Sequence, residues 1–90
     1  ISAHDYTKEF LENSFKQYTP DIQITKAEKT YIGENKAFLI YYVNPSNSTK
    51  AIEIYFFKDA YAFVLTATSK IDKFADNEIT FLETLYSLKF

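Results

Sequence analysis

Hydrophobic residues in the middle of the chain recur with a period of two, which is the period of a β-strand. Residues 37–43 and 51–57 carry apolar side chains on both alternating faces, so each predicted strand needs cover above and below. Glu53 is the exception, because it turns one face of the second of these strands toward water. Residues 61–68 repeat the alternation. The strand that starts at Asp21 loses its phase near residues 26–29, which predicts a bulge or a bend.

Short polar segments separate the four predicted strands. Gly33, the only glycine, opens a turn over residues 33–36, where a positive φ angle can be adopted. Residues 44–49 read Asn-Pro-Ser-Asn-Ser-Thr and form a second turn, and residues 58–60 form a tight third one. Connections this short join antiparallel neighbours, so the pattern predicts a meander sheet.

Both ends of the chain have apolar residues at helical spacing. The first segment stops before Pro20 and predicts a helix of about four turns that is capped by Ser2. Its apolar stripe consists of Tyr6, Phe10, Leu11, Phe15 and Tyr18. The last segment predicts a helix capped by Asp76 or Asn77. Its stripe consists of Ile79, Leu82, Leu85 and Tyr86, widened by Phe81 and Leu88.

The predicted fold class is therefore α+β. A four-stranded antiparallel meander sheet is flanked by an N-terminal and a C-terminal helix, in the order α-β-β-β-β-α. The two helices either share one face of the sheet or cover both. A chain of 90 residues forms a single domain, and 47% hydrophobic residues are ample for its core.

Composition excludes several classes of function. The net charge of -2 comes from interspersed charges without a basic stripe, so we do not expect nucleic acid as a partner. The absence of cysteine excludes disulfides and thiolate metal sites. Apolar runs stay well short of the ~20 residues of a transmembrane helix, so none is expected in this chain.

Candidate catalytic groups are few. His4, the only histidine, is expected to be a solvated surface residue without convergent partners. Glu53 with Glu28 is a candidate acid and base pair, against the favoured alternative of ion pairs with Lys26, Lys36 or Lys50. Glu78 and Glu83 are expected to be solvated. A chain with one glycine cannot form a glycine-rich phosphate-binding loop. From all these residues together, no catalytic, cofactor-binding or metal-ligating residue is predicted.

Tyrosine offers the more interesting pattern, because five of the predicted strand residues are tyrosines. Their rings either pack at the rim of the core or form a stacking platform for a sugar or peptide. The candidate surface for a partner or ligand consists of Tyr31, Tyr42, Tyr55, Tyr61 and Glu53.

Two stretches of the C-terminal half carry a family resemblance. Residues 62–67 read Ala-Phe-Val-Leu-Thr-Ala, and the chain closes with Ser87, Leu88, Lys89 and Phe90. The first resembles an aromatic-rich strand of the PsbP-like family and its bacterial lipoprotein relatives, and the second resembles their closing Ser-Phe-Lys-Phe. The resemblance implies that the last residues leave the helix and that Phe90 packs in the core. It also implies that residues 1–90 form a single PsbP-like α+β domain.

Such domains usually begin with strands that are missing here. The chain is then either a fragment that starts after them or a shorter variant with an exposed sheet edge. Because it begins at Ile1 without a signal peptide, we expect a trimmed or processed chain with an export signal or lipid anchor upstream. The expected location is extracytoplasmic or at the cell surface of a bacterium.

The resemblance implies a non-catalytic accessory or binding domain that engages a protein partner, itself or a small ligand. A protein partner or a homodimer would pair through a sheet edge. The alternatives are a small hydrolase-type enzyme that uses surface carboxylates and tyrosines, and a structural module of a longer lipoprotein. A hydrophobic groove beside the sheet would favour peptide or lipid binding, whereas a cleft with two carboxylates would favour the enzyme.

Overall fold

The computed structural model describes residues 2–88 and contains one four-stranded antiparallel sheet with the strand order β1-β2-β3-β4. The strands are β1 (Gln23–Ile32), β2 (Asn35–Asn44), β3 (Thr49–Lys58) and β4 (Tyr61–Lys70). A short 3₁₀ helix (Ala3–Asp5) and helix α1 (Lys8–Lys16) precede the sheet, and helix α2 (Ile71–Ser87) follows it. A second 3₁₀ turn, Pro45–Asn47, joins β2 to β3. The predicted α+β class and meander order are confirmed.

The predicted bulge in the first strand is present but lies earlier than residues 26–29. The register between β1 and β2 shifts between Ile24 and Lys26, so Thr25 is the extra residue. Ile24 pairs with Tyr42 on one face, whereas Lys26 pairs with Tyr41 on the other. The bulge therefore exchanges the faces of the residues that follow it, which explains the loss of phase in the sequence.

A two-residue turn fixes the hairpin of β3 and β4. Asp59 and Ala60 both have positive φ angles, 52° and 67°, as a type I′ turn requires. Lys58 and Tyr61 face each other across this turn, and the pairing continues without a register shift to Thr49 and Lys70. The turn after β1 is equally short, and its Gly33 has the expected positive φ of 59°.

The two helices cover opposite faces of the sheet, which decides between the two arrangements left open by the sequence. Phe74 and Leu85 of α2 pack with Leu39, Ile54 and other buried residues of one face. On the other face, Leu11 of α1 packs with Ile24, Phe38, Ile40 and Tyr55. Because β2 and β3 lie between these layers, their apolar residues are buried on both sides.

The N-terminal helix is shorter than the predicted four turns. Ser2 caps only the 3₁₀ helix, where its hydroxyl accepts from the His4 N–H and the Asp5 carboxylate accepts from the Ser2 N–H. The chain is then extended up to Thr7, whose hydroxyl accepts from the Phe10 N–H and starts α1. This second cap competes with a continuous helix and breaks the predicted stripe. As a result Leu11 is buried, whereas Phe10 and Tyr18 are exposed.

The C-terminal helix is longer than predicted. It begins at Ile71, directly after β4, and not at Asp76 or Asn77. Its buried stripe includes Phe74 and Leu85, whereas Ile79 is 71% exposed and does not belong to it. The physical reason is that a helix started at Ile71 turns Phe74 onto the sheet, and Ile79 lies on the far side of the helix from Phe74.

Helix α2 ends at Ser87, and Leu88 is extended. Phe90, which the resemblance implies to be in the core, lies outside the described residues. Over the described part of the chain, neither helix has the combination of length and apolar composition that a membrane crossing needs.

Matched isoleucine substitutions should separate the core from the surface. Ile54 is fully buried, so Ile54→Ala should lower the free energy of unfolding by about 2–5 kcal/mol, because it opens a cavity between the sheet and α2. Ile79→Ala removes the same atoms from an exposed site and should change it by less than about 0.5 kcal/mol. Urea denaturation followed by circular dichroism measures both. Equal losses for the two variants would contradict the described face of α2.

Candidate functional site

The two edges of the sheet differ sharply in character. β1 carries the bulge at Thr25 and the charged residues Lys26, Glu28 and Lys29, with a Lys26–Glu28 ion pair at 3.7 Å. Bulges and charges are the usual means by which proteins keep an edge strand from pairing with another chain. In β4, by contrast, residues 61–69 contain no charge, no proline and no register shift. β4 is therefore an unprotected edge.

The register of the hairpin determines which main-chain groups this edge offers. Across a two-residue turn Lys58 and Tyr61 form a hydrogen-bonded pair, and such pairs recur at every second residue. The odd-numbered residues of β4 thus bond to β3. The same alternation continues one residue past the strand, where the Ile71 N–H donates to the Ser48 carbonyl at 2.9 Å. The N–H and C=O groups of the even-numbered residues, including Val64 and Thr66, point away from the sheet.

An apolar groove runs along this edge, between β4 and α2. It encloses about 490 Å³ and has no charged side chain in its described lining. The lining residues, which we call the β4 groove, are Val64, Leu65, Thr66, Ala67, Thr80, Phe81, Thr84, Leu85 and Leu88. The groove thus places an apolar wall directly beside a row of free backbone groups.

The opposite side of β4 is open. Helix α1 lies over the β1 side of the sheet, so the side chains of Ala62, Val64, Thr66 and Thr68 are exposed. Val64 is 54% exposed although it occupies a strand position. Neither face of the β4 edge is therefore sterically closed to an added strand.

Glu53 occupies the uncovered half of this face, among three hydroxyl groups. Tyr42 donates to its carboxylate at 3.0 Å and Thr66 at 3.2 Å, and Tyr55 donates to the second oxygen. We call these four residues the Glu53 cluster. Burial, together with the nearby Glu53 charge, raises the pKa of both tyrosines well above the usual value. Both phenols therefore remain neutral donors at physiological pH.

The carboxylate arrangement differs from the sequence-based expectation. Among the described residues Glu53 forms no ion pair, whereas Glu28 pairs with Lys26 within β1, so the expected ion pairing is found at Glu28 but not at Glu53. Glu28 pairs opposite Leu39 and faces α2, whereas Glu53 lies on the α1 face. The sheet separates the two carboxylates, so they cannot act on one bond. No cluster of three potential metal-ligating side chains occurs within residues 2–88.

The predicted tyrosine surface is not a single platform. Tyr42 and Tyr55 meet at Glu53, but Tyr55 is only 8% exposed and belongs to the core. Tyr31 is exposed at the β1 edge, where its ring contacts His4, and Tyr61 is exposed at the opposite edge. Only Tyr42, Tyr55 and Glu53 of the five candidates are brought together.

Two side chains expected to be solvated are held by specific bonds. His4 is partly buried, and its Nε2 lies 2.9 Å from the Thr30 carbonyl oxygen, which makes this nitrogen a donor. Glu78 accepts a 2.9 Å bond from the Tyr41 hydroxyl, and burial together with Glu78 raises the pKa of Tyr41 well above its usual value. Both partners are distant in sequence, so spacing alone could not reveal them.

The groove residues of α2 were also missed as a binding surface. Phe81 packs against the core, as the helical stripe predicts, and it also lines the groove together with Leu88. One signal was present in the sequence, namely the uncharged run over residues 61–69. An edge strand without charges predicts pairing with another strand.

A second cavity lies near the N-terminus. It encloses about 370 Å³ and is lined by Ser2, Asp5, Tyr6, Phe10 and Phe57. Tyr6 stacks on Phe57 with a centroid distance of 6.0 Å and also contacts Phe10, so these rings largely satisfy one another. This cavity offers no row of free backbone groups comparable to that of β4.

Comparisons with known proteins support the fold. No protein-family model and no curated protein matches the chain. Among solved structures, it is similar to the protein of unknown function PA94 from Pseudomonas aeruginosa, with a TM-score of 0.78 and 17% identity. The similarity covers 97% of this chain and 61% of that one, so this chain spans less than two thirds of its neighbour. The resemblance to the PsbP-like family stays a prediction.

Tyrosine titration should distinguish the two carboxylate contacts. Tyr41, Tyr42 and Tyr55 should ionise well above the ordinary tyrosine pKa of about 10, as followed by NMR of ¹³Cζ-labelled tyrosine. Glu53→Gln should lower the pKa of Tyr42 and Tyr55 only in part, because burial is the largest cause, and should leave that of Tyr41 unchanged. Glu78→Gln should instead lower the pKa of Tyr41 in part and leave those of Tyr42 and Tyr55 unchanged. A common response of all three would contradict the described contacts.

The raised pKa values of these tyrosines also determine how the free energy of unfolding changes at alkaline pH. Because the folded-state pKa lies above the unfolded one, the stabilisation from each phenol is complete below pH about 10. It is lost as the pH rises toward the folded-state value. The free energy of unfolding should therefore fall above pH about 10, and less steeply in Glu53→Gln than in the original chain.

Proposed function

We propose that this chain is a non-catalytic protein-binding domain that takes up an extended, uncharged segment alongside β4. The observation that carries the proposal is the unprotected β4 edge with the β4 groove beside it. In this mode of recognition, main-chain hydrogen bonds supply affinity, and contacts of every second side chain of the added strand supply specificity.

The geometry provides both parts. An added antiparallel strand would bond to the outward main-chain groups of Val64 and Thr66. Every second side chain of that strand would lie over the β4 groove, against Phe81 of α2 and Leu88 directly after it. The remaining side chains would lie beside Val64 on the open face. A charged segment would fit poorly, because the groove lining offers it no partner of opposite sign.

We place this binding activity outside the cytoplasm of a bacterium, as an accessory domain. The support is the resemblance of residues 62–67 and 87–90 to the PsbP-like family. The hydrolase alternative receives no comparable support, because the candidate carboxylate pair is divided by the sheet.

A model peptide tests the proposed function. A blocked peptide of alternating threonine and valine should bind the ¹⁵N-labelled domain at a protein concentration at which the chain sediments as a monomer. The amide signals of Val64 and Thr66 should shift, and their hydrogen exchange should slow, because these N–H groups gain acceptors. Signals of β1 should not change.

Two controls make the result specific. The same peptide with lysine at its central positions should bind at least about tenfold more weakly, since its charges meet an apolar wall. Thr80→Lys at the lip of the β4 groove should weaken binding, whereas Thr30→Lys near the β1 edge should not. Shifts confined to β1, or no shifts at millimolar peptide, would refute the proposal.

A further inference from the structure

Building on the proposed function, we propose that the segment accepted by β4 is the β4 strand of a second copy of this chain. The two strands would pair antiparallel about a two-fold axis at Leu65, and the two sheets would join into one continuous sheet. Three properties of β4 carry this proposal: the position of its charges, the alternation of its free backbone groups and the sizes of its side chains.

The charges set the register. The uncharged stretch runs from Tyr61 to Ser69, and Leu65 is its midpoint. An antiparallel pair of identical strands centred there uses the whole stretch and leaves Lys70, the charged residue of β4, outside it. No lysine then lies opposite another lysine, which is the arrangement that would oppose such a pair. A centre moved toward the C-terminal end would bring Lys70 into the ladder, and a centre moved toward the N-terminal end would shorten the ladder, because β4 begins at Tyr61.

The free backbone groups fit the same centre. In this register Val64 faces Thr66 of the second copy, and Ala62 faces Thr68. All four are even-numbered residues, whose N–H and C=O groups point away from β3. Each facing pair can therefore exchange two hydrogen bonds, and the two-fold axis generates an equivalent pair on the other side of Leu65. Leu65 itself faces its own copy at a non-hydrogen-bonded position, where side chains approach most closely.

The side chains are complementary in size. On the α2 face, Phe63 would lie opposite Ala67, a large residue against a small one, on both sides of the two Leu65 side chains. On the open face, the β-branched Val64 would lie opposite the β-branched Thr66, a favourable cross-strand pair. Complementary packing on both faces of a single register is not expected of an arbitrary strand.

The β4 groove would be filled by this arrangement. The Leu65 side chains at the axis lie on the face that borders Phe81 and Leu85. The second copy would remove this apolar surface from water and give its own groove the same cover. Occupation of both grooves by one symmetric contact closes the assembly at two chains.

Cysteine cross-linking and sedimentation test the pairing, and the chain has no cysteine of its own. Leu65→Cys should form a disulfide dimer under mild oxidation roughly tenfold faster than Val64→Cys, because only residues at position 65 meet across the axis at disulfide distance. Val64 is the more exposed position, so random collision would give the opposite order. Circular dichroism checks that both variants fold.

Sedimentation velocity of the unmodified chain should show a monomer at low micromolar and a dimer at near-millimolar concentration. Val64→Lys should weaken the dimer at least about tenfold, because it brings charge into the ladder next to the axis, whereas Val64→Thr should retain it. A chain that stays monomeric, or a dimer unaffected by Val64→Lys, would overturn the self-pairing. Peptide binding with a monomeric chain would refute the second copy while preserving the proposed function. Loss of both would refute both.

Discussion

Burial of β2 and β3 on both faces is the constraint on which the rest of the structure depends. Ile40 faces α1 and Ile54 faces α2, and both are inaccessible to water. A sheet with two apolar faces needs a covering layer on each side, so the two helices lie on opposite faces of the sheet and do not pack against each other. With 90 residues there is enough helix to cover the two inner strands but not the whole sheet. α1 has only nine residues and leaves the β4 side of its face open.

The polar groups at the margin of the core follow from the same constraint. Glu53 interrupts an otherwise apolar face, and a carboxylate in this position needs hydrogen-bond donors. Two tyrosines and Thr66 supply them, so the charge is stabilised by neutral dipoles and not by a lysine. On the other face the phenol ring of Tyr41 is buried, and its hydroxyl donates a hydrogen bond to Glu78 on α2. Tyrosine suits both places because its ring packs in the core while its hydroxyl reaches the rim.

The sheet could be predicted from sequence, because a period of two and the turn residues are local signals. The helix limits could not, since Ser2 and Thr7 both act as caps and divide the N-terminal segment into a 3₁₀ helix and α1. The candidate site could be predicted only in part. The lack of charge in β4 is visible in sequence, but the groove exists only because α2 crosses the sheet beside that strand. The contacts of His4 and Glu78 depend on partners at least 26 residues away, beyond the reach of any local pattern.

The turn at Asp59 and Ala60 has a consequence for how this protein can vary. Its length determines both which backbone groups of β4 face outward and which side chains face α2. An insertion there that shifted β4 by one residue against β3 would exchange the two sets, exposing Leu65 and burying Thr66, while the sequence of the strand stayed the same. Natural relatives that share this edge should therefore tolerate changes of residue type in the loop far better than changes in its length.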